Sequence, residues 1–100
     1  MKYVIVMINM EDGIPYILHT DNKFYSTCMS IHGCKVLEYS SKKRAELAAS
    51  RANAKYNYGH SYAMTMTDLF ALWDLTSDTN SRDVRLARIQ EYFITNNYQY

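Results

Sequence analysis

Residues 3–8, YVIVMI, form an unbroken apolar run rich in β-branched side chains, and they constrain the fold more than any other segment. A short run of this kind, bounded by turn residues, reads as a buried strand. Glu11, Asp12, Gly13 and Pro15 close it. Asp-Gly is a strong hairpin signal, so Tyr16, Ile17 and Leu18 are expected to return as the antiparallel partner. Pro15 lacks an N–H and fits only the start or edge of that second strand. With 100 residues the chain has room for one core, and a single domain over residues 1–100 is expected.

Asp21 and Asn22 mark a second turn. Beyond it Tyr25, Thr27, Met29 and Ile31 alternate with Phe24, Ser26, Cys28 and Ser30, as in a third strand, although neither face is cleanly apolar and Gly33 ends the run. Residues 34–39, centred on Val36 and Leu37, read as a further half-buried strand. Ser40 and Ser41 then offer oxygens to the free amides of a first helical turn. Ala45, Ala48, Ala49, Ala52 and Tyr56 recur at helical spacing, which predicts a helix over residues 42–56 lying close on the sheet, with Gly59 as its stop.

Tyr62, Met64 and Met66 alternate over residues 60–67, suggesting a last strand or an extended connector. Thr67 is predicted to cap a short helix holding Leu69, Phe70, Leu72, Trp73 and Leu75. Residues 76–81 read as a polar loop whose Ser81 caps a final helix to about residue 95. That helix carries one apolar stripe of Leu86, Ile89 and Phe93 and a second of Val84, Ala87 and Ile94, the latter a candidate homodimer contact. Residues 96–100 are polar and terminal and are expected to fray. The class is α+β: a small antiparallel sheet of about three to five strands with an N-terminal hairpin, and about three helices packed on it.

Chemistry has few footholds. His19, His32 and His60 sit in no nucleophile motif of the Gly-x-Ser-x-Gly kind. Cys28, His32 and Cys34 could offer zinc two thiolates and an imidazole, with His19 or His60 as a fourth ligand, but the paired Cys-x-x-Cys spacing is missing. Free cysteines are commonly small buried hydrophobes. Glu11 and Asp12 are adjacent carboxylates in a tight turn, where Asp serves the backbone. The three glycines are isolated, so neither a phosphate-cradling loop nor a dinucleotide fingerprint exists. The chain is therefore expected to be no enzyme and to hold no cofactor and no metal.

Membrane insertion is not expected, because no stretch approaches the roughly 20 apolar residues needed. Residues 3–8 are also shorter than the apolar region of a secretion signal and lack a cleavage site, so a cytoplasmic location with reduced thiols is expected.

Composition points to contact surfaces. The chain is 48% hydrophobic and 21% charged, which is globular, and it holds ten tyrosines against three phenylalanines and one tryptophan. Tyr combines a large ring with a polar tip and is enriched at interfaces. Net charge is only +1, yet residues 35–55 hold six basic residues against two acidic ones. Arg44, Arg51 and Lys55 share one face of the first predicted helix, with Tyr58 just beyond it, and Arg85, Arg88 and Tyr92 share a face of the last. Asp68, Asp74 and Asp78 lie between with no compensating base. Such faces can grip an acidic protein surface, where Arg and Tyr dominate hot spots. The same residues can contact phosphates and stack on bases, although a near-neutral chain is a poor nonspecific nucleic-acid binder.

KYVIV, EDGIPYILHTDNKFYS and KVLEYSSKKRAELAASRAN, spread over residues 2–53, resemble the opening of many short bacteriophage accessory proteins, in which a hairpin leads into a strand and a Ser-capped helix. The resemblance implies a small domain without an active site that binds and occludes a host protein or protein–nucleic acid complex, such as a CRISPR effector, in the manner of an anti-CRISPR inhibitor. A small nucleic-acid-binding regulator is the alternative. An enzyme would need one of the histidines beside a thiol or carboxylate in a pocket.

Overall fold

A computed structural model describes residues 1–30, 33–55 and 59–98. Four strands, β1 (Tyr3–Asn9), β2 (Pro15–Leu18), β3 (Phe24–Tyr25) and β4 (Gly59–Thr65), form one antiparallel sheet in the order β3-β2-β1-β4. Three helices complete the α+β fold: α1 (Lys42–Lys55), α2 (Met66–Thr76) and α3 (Arg82–Thr95). None of the helices among the described residues is long and apolar enough to cross a membrane.

β1 is central, and both of its faces are covered. Val4, Val6 and Ile8 point to the side of α2 and α3 and pack with Ile17, Met64, Leu69, Leu72, Ile89 and Phe93. Ile5 points the other way, onto Leu18, Ala45 and Ala49 beneath α1. Cover on both sides is why the run is continuously apolar instead of alternating.

The two hairpin turns use one device. Asp12 accepts from Ile14 N–H at 2.9 Å and from the Tyr16 hydroxyl at 2.8 Å. Asp21 accepts in the same way from Lys23 N–H at 3.1 Å and the Tyr25 hydroxyl at 2.6 Å. In each turn the aspartate stops the chain from continuing straight, and a tyrosine four residues on ties the returning strand to it. Gly13 answers two demands, since its φ is +70° and an added Cβ would lie 3.0 Å from Arg85 Cβ and 3.1 Å from Arg82 O of α3. Pro15 starts β2, opposite Ile8, as expected.

The third predicted strand is shorter than its alternation suggests. β3 ends at Tyr25, residues 26–30 have no ladder partner, and Ile31 lies outside the described residues. Residues 34–39 are not a strand. β2 parts from β1 beyond Ile17, and this segment wedges into the gap, with Thr20 N–H on Lys35 O, Leu37 N–H on Leu18 O, and Tyr39 exchanging two bonds with Tyr3. It therefore touches each neighbour through isolated bridges.

Ser41 caps α1, its Oγ accepting from Arg44 N–H at 3.3 Å. Ala45, Ala49 and Ala52 form the buried face, as the spacing predicts, while Tyr56 falls outside the described residues. Gly59, expected as the helix stop, begins β4, where an added Cβ would sit 2.4 Å from Ile8 O; residues 56–58, where the helix would stop, lie outside the described residues. The cap of α2 is Thr65 and not Thr67: β4 passes straight into the helix, and Thr65 Oγ1 accepts from Asp68 N–H at 3.3 Å. Ser81 caps α3 as expected.

Residues 96–98 form a hydrogen-bonded cap instead of fraying, and residues 99–100 lie outside the described residues. Asn97, at φ 62°, turns the chain so that its N–H meets Ile94 O and Tyr98 N–H meets Phe93 O. The Tyr98 and Phe93 rings lie 5.3 Å apart, the hydrophobic contact that accompanies this cap. Of the two stripes of α3, Ile89 and Phe93 are buried, whereas Val84, Ala87 and Ile94 are exposed and uncovered within the chain.

Candidate functional site

Because α1 rests on the sheet through small alanines, its charged side chains all lie on the exposed side. Lys42, Lys43, Arg44, Arg51 and Lys55 are all exposed, and Glu46 is the one acid of the helix. Ion pairs among the described residues include Lys2–Glu38, Arg82–Asp83 and Arg88–Asp78. Beside Arg51 and Lys55 lies a cleft of about 190 Å³ walled by Leu18, Leu37, Tyr39, Ala48 and Ala52. An apolar dent rimmed by cations is what an acidic partner with an apolar anchor would require.

The basic residues of α3 have another role. Arg85 donates to Thr76 O at 3.3 Å and to Asp12 O at 2.9 Å. Arg88 donates to Leu75 O at 2.9 Å and to Asp78. α2 has no basic residue in its last turn; the guanidinium groups of α3 supply donors and positive charge to its terminal carbonyls. Arg85 at the same time fastens the β1–β2 turn. Asp78, which the sequence leaves without a base, thus finds one in Arg88.

Tyr92 donates to Asp68 Oδ1 at 2.5 Å, and Tyr98 donates to Oδ2 of the same carboxylate. Burial first, and then this bond, pushes the Tyr92 hydroxyl up to about 12 and raises that of Tyr98. Tyr3, Tyr16, Tyr25, Tyr39, Tyr62, Tyr92 and Tyr98 are all half-buried, so no described tyrosine is an exposed contact residue. The tyrosine excess serves internal tethers: Asp12, Asp21 and Asp68 together hold Tyr16, Tyr25, Tyr92 and Tyr98. Tyr58 lies outside the described residues. Of the predicted contact residues, Arg44, Arg51 and Lys55 thus share an exposed helix, while Arg85, Arg88 and Tyr92 sit on the opposite side of the sheet with their polar groups engaged.

His19 is fully buried at the end of β2, with Nε2 2.9 Å from Thr27 O and no partner on Nδ1. His60 is exposed on β4, and His32 lies outside the described residues. Cys28 and Cys34 are half-buried thiols that are not joined in a disulfide. Among the described residues no group of three or more His, Cys, Asp or Glu side chains is placed to hold a metal ion.

The sequence reading missed the Asp68 pair and the Asn53 side chain, which bonds both main-chain groups of Ser61. Only the repeated Asp-x-x-x-Tyr spacing at 12–16 and 21–25 was legible as a signal of the tyrosine tethers. No protein-family model, no curated protein and no solved structure matches the chain.

Proposed function

We propose that this chain is a non-catalytic interaction domain that lays the outer face of α1 on an acidic surface of another protein, and that it acts as a phage-type inhibitor in the cytoplasm of a host, occluding a defence complex such as a CRISPR effector. The observation that supports this reading is the division of its bases. Those of α3 are engaged within the fold, whereas α1 exposes Lys42, Lys43, Arg44 and Arg51 against one acid, with Arg51 beside an apolar cleft. Arg at the rim of an apolar pocket is a common composition for an interface anchor.

The same face could meet phosphates, and the test separates the two partners. Bait chain and an Arg44→Glu, Arg51→Glu, Lys55→Glu variant are passed through host lysate with and without nuclease. The expected result is a protein retained by the first bait, nuclease or not, and lost by the variant at unchanged circular dichroism. Retention that needs intact nucleic acid and falls steeply with salt would assign the face to a nucleic-acid partner instead. Identical capture by both baits would reject the role of α1.

A further inference from the structure

The two margins of the sheet differ. β3 is two residues long, whereas β4 runs seven residues and, among the described residues, has a strand, β1, on one side only. Successive residues of a strand point their N–H and C=O to opposite sides. Ser61 gives both groups to the Asn53 carboxamide, its N–H to Oδ1 at 2.6 Å and its C=O accepting from Nδ2 at 3.2 Å. Ser61 therefore faces away from β1, and so do Ala63 and Thr65. Among the described residues no hydrogen bond reaches the outward N–H and C=O of Ala63 or the outward N–H of Thr65.

Asn53 presents one acceptor and one donor to Ser61, as the main chain of a neighbouring strand would. It guards that part of the edge, in the way proteins cover exposed strands, and leaves the rest uncovered. The uncovered groups lie in a groove of about 730 Å³. One wall is α1, with Lys42, Glu46 and Ser50, and the other holds Tyr62 and Tyr98. These walls belong to opposite faces of the sheet, so the edge is recessed between them. Two recessed edges cannot meet, whereas a single extended chain can enter.

We infer that the β4 edge binds an extended peptide segment, which adds to the sheet beside β4 and pairs with Ala63 and Thr65. Side chains of an added strand alternate between the two walls. One wall offers a charge of each sign and a hydroxyl, and the other two aromatic rings, so the segment that fits alternates polar and apolar residues. This surface is separate from Arg44, Arg51 and Lys55, and the inference does not depend on the role proposed for them.

The test is an amide NMR titration of the isotope-labelled full chain with a blocked peptide alternating valine with threonine and lysine. Shifts are expected to centre on the Ala63 and Thr65 amides and to vanish when every second residue of the peptide is N-methylated. Asn53→Ala, which releases Ser61, is expected to tighten binding about fivefold, the worth of one further net hydrogen bond. Ala63→Pro removes an outward N–H and none of the β1 ladder, and is expected to abolish the shifts. The triple reversal on α1 is expected to leave them in place. No shift at Ala63 with millimolar peptide, equal binding of the N-methylated peptide, or no gain from Asn53→Ala would overturn the inference. A dimer in sedimentation that protects the Ala63 amide would overturn it in favour of a second copy.

Discussion

Asp68, in the first turn of α2, takes one phenol on each oxygen, Tyr92 from α3 and Tyr98 from just beyond it. A single carboxylate thereby joins the start of one helix to the end of the next. Tyr92 and Tyr98 are both raised, chiefly by burial, while Tyr25 is pushed up to about 12 chiefly by its bond to Asp21 and Tyr16 is raised by Asp12. An unfolded tyrosine ionises near about pH 10, so above that pH the folded chain binds more protons than the unfolded one. Stability then falls as pH rises: the contribution is complete below about pH 10 and is lost as pH passes through the folded values. A denaturant midpoint followed against pH is expected to drop between about pH 10 and 12. Asp68→Ala is expected to cost about 2 kcal/mol, the loss of two charge-assisted bonds reduced by partial exposure. Tyr98→Phe is expected to cost about 1 kcal/mol alone and almost nothing in the Asp68→Ala background. Full additivity in that double-mutant cycle would show that the Tyr98 hydroxyl owes nothing to Asp68.

Among the elements, α1 and α3 each carry basic residues along one helical face, and from sequence nothing separates the two sets. They differ because α3 lies against the C-terminal turn of α2 and the β1–β2 turn, both rich in carbonyls without helical partners. Arg85→Ala is therefore expected to destabilise by about 2 kcal/mol, having removed donors from half-buried carbonyls. Arg51→Ala is expected to stay within about 0.5 kcal/mol of the parent, as exposed substitutions do. Chemical denaturation of both variants checks this; equal losses would mean that the two helices do not divide their bases as described. What sequence made legible were signals that act within a turn or two of helix or one hairpin: the Ser41 and Ser81 caps, the Asp-Gly turn and the alanine face. What it hid were partners far along the chain. Arg85 reaches a carbonyl 73 residues away and Tyr98 a carboxylate 30 residues away, and no local pattern encodes either. The Thr65 cap and the 34–39 wedge were misread for the same reason, since the pairing of Tyr3 with Thr65 and with Tyr39 fixes both.

Across the whole molecule, β1 is shared by two layers of unequal strength. The layer of α2 and α3 buries Leu69, Leu72, Ile89 and Phe93, each worth roughly 1.5–3 kcal/mol, and is further tied by Arg85, Arg88 and Asp68. α1 buries only Ala45, Ala49 and Ala52, whose methyl groups contribute about 0.8 kcal/mol each, together with the Asn53 bonds to Ser61. Local opening follows such differences in buried apolar contact. Native-state hydrogen exchange is therefore expected to show the α1 amides opening at least about 2 kcal/mol below those of α3, with β1 amides opening last because both layers cover them. A partner seated on the outer face of α1 would bind the closed layer and raise the opening energy of α1 by mass action, while leaving that of α3 nearly unchanged. If α1 and α3 instead open together, at one energy and with one response to a partner, the alanine layer is not a separate unit and the weak attachment of the proposed contact helix has no part in its function.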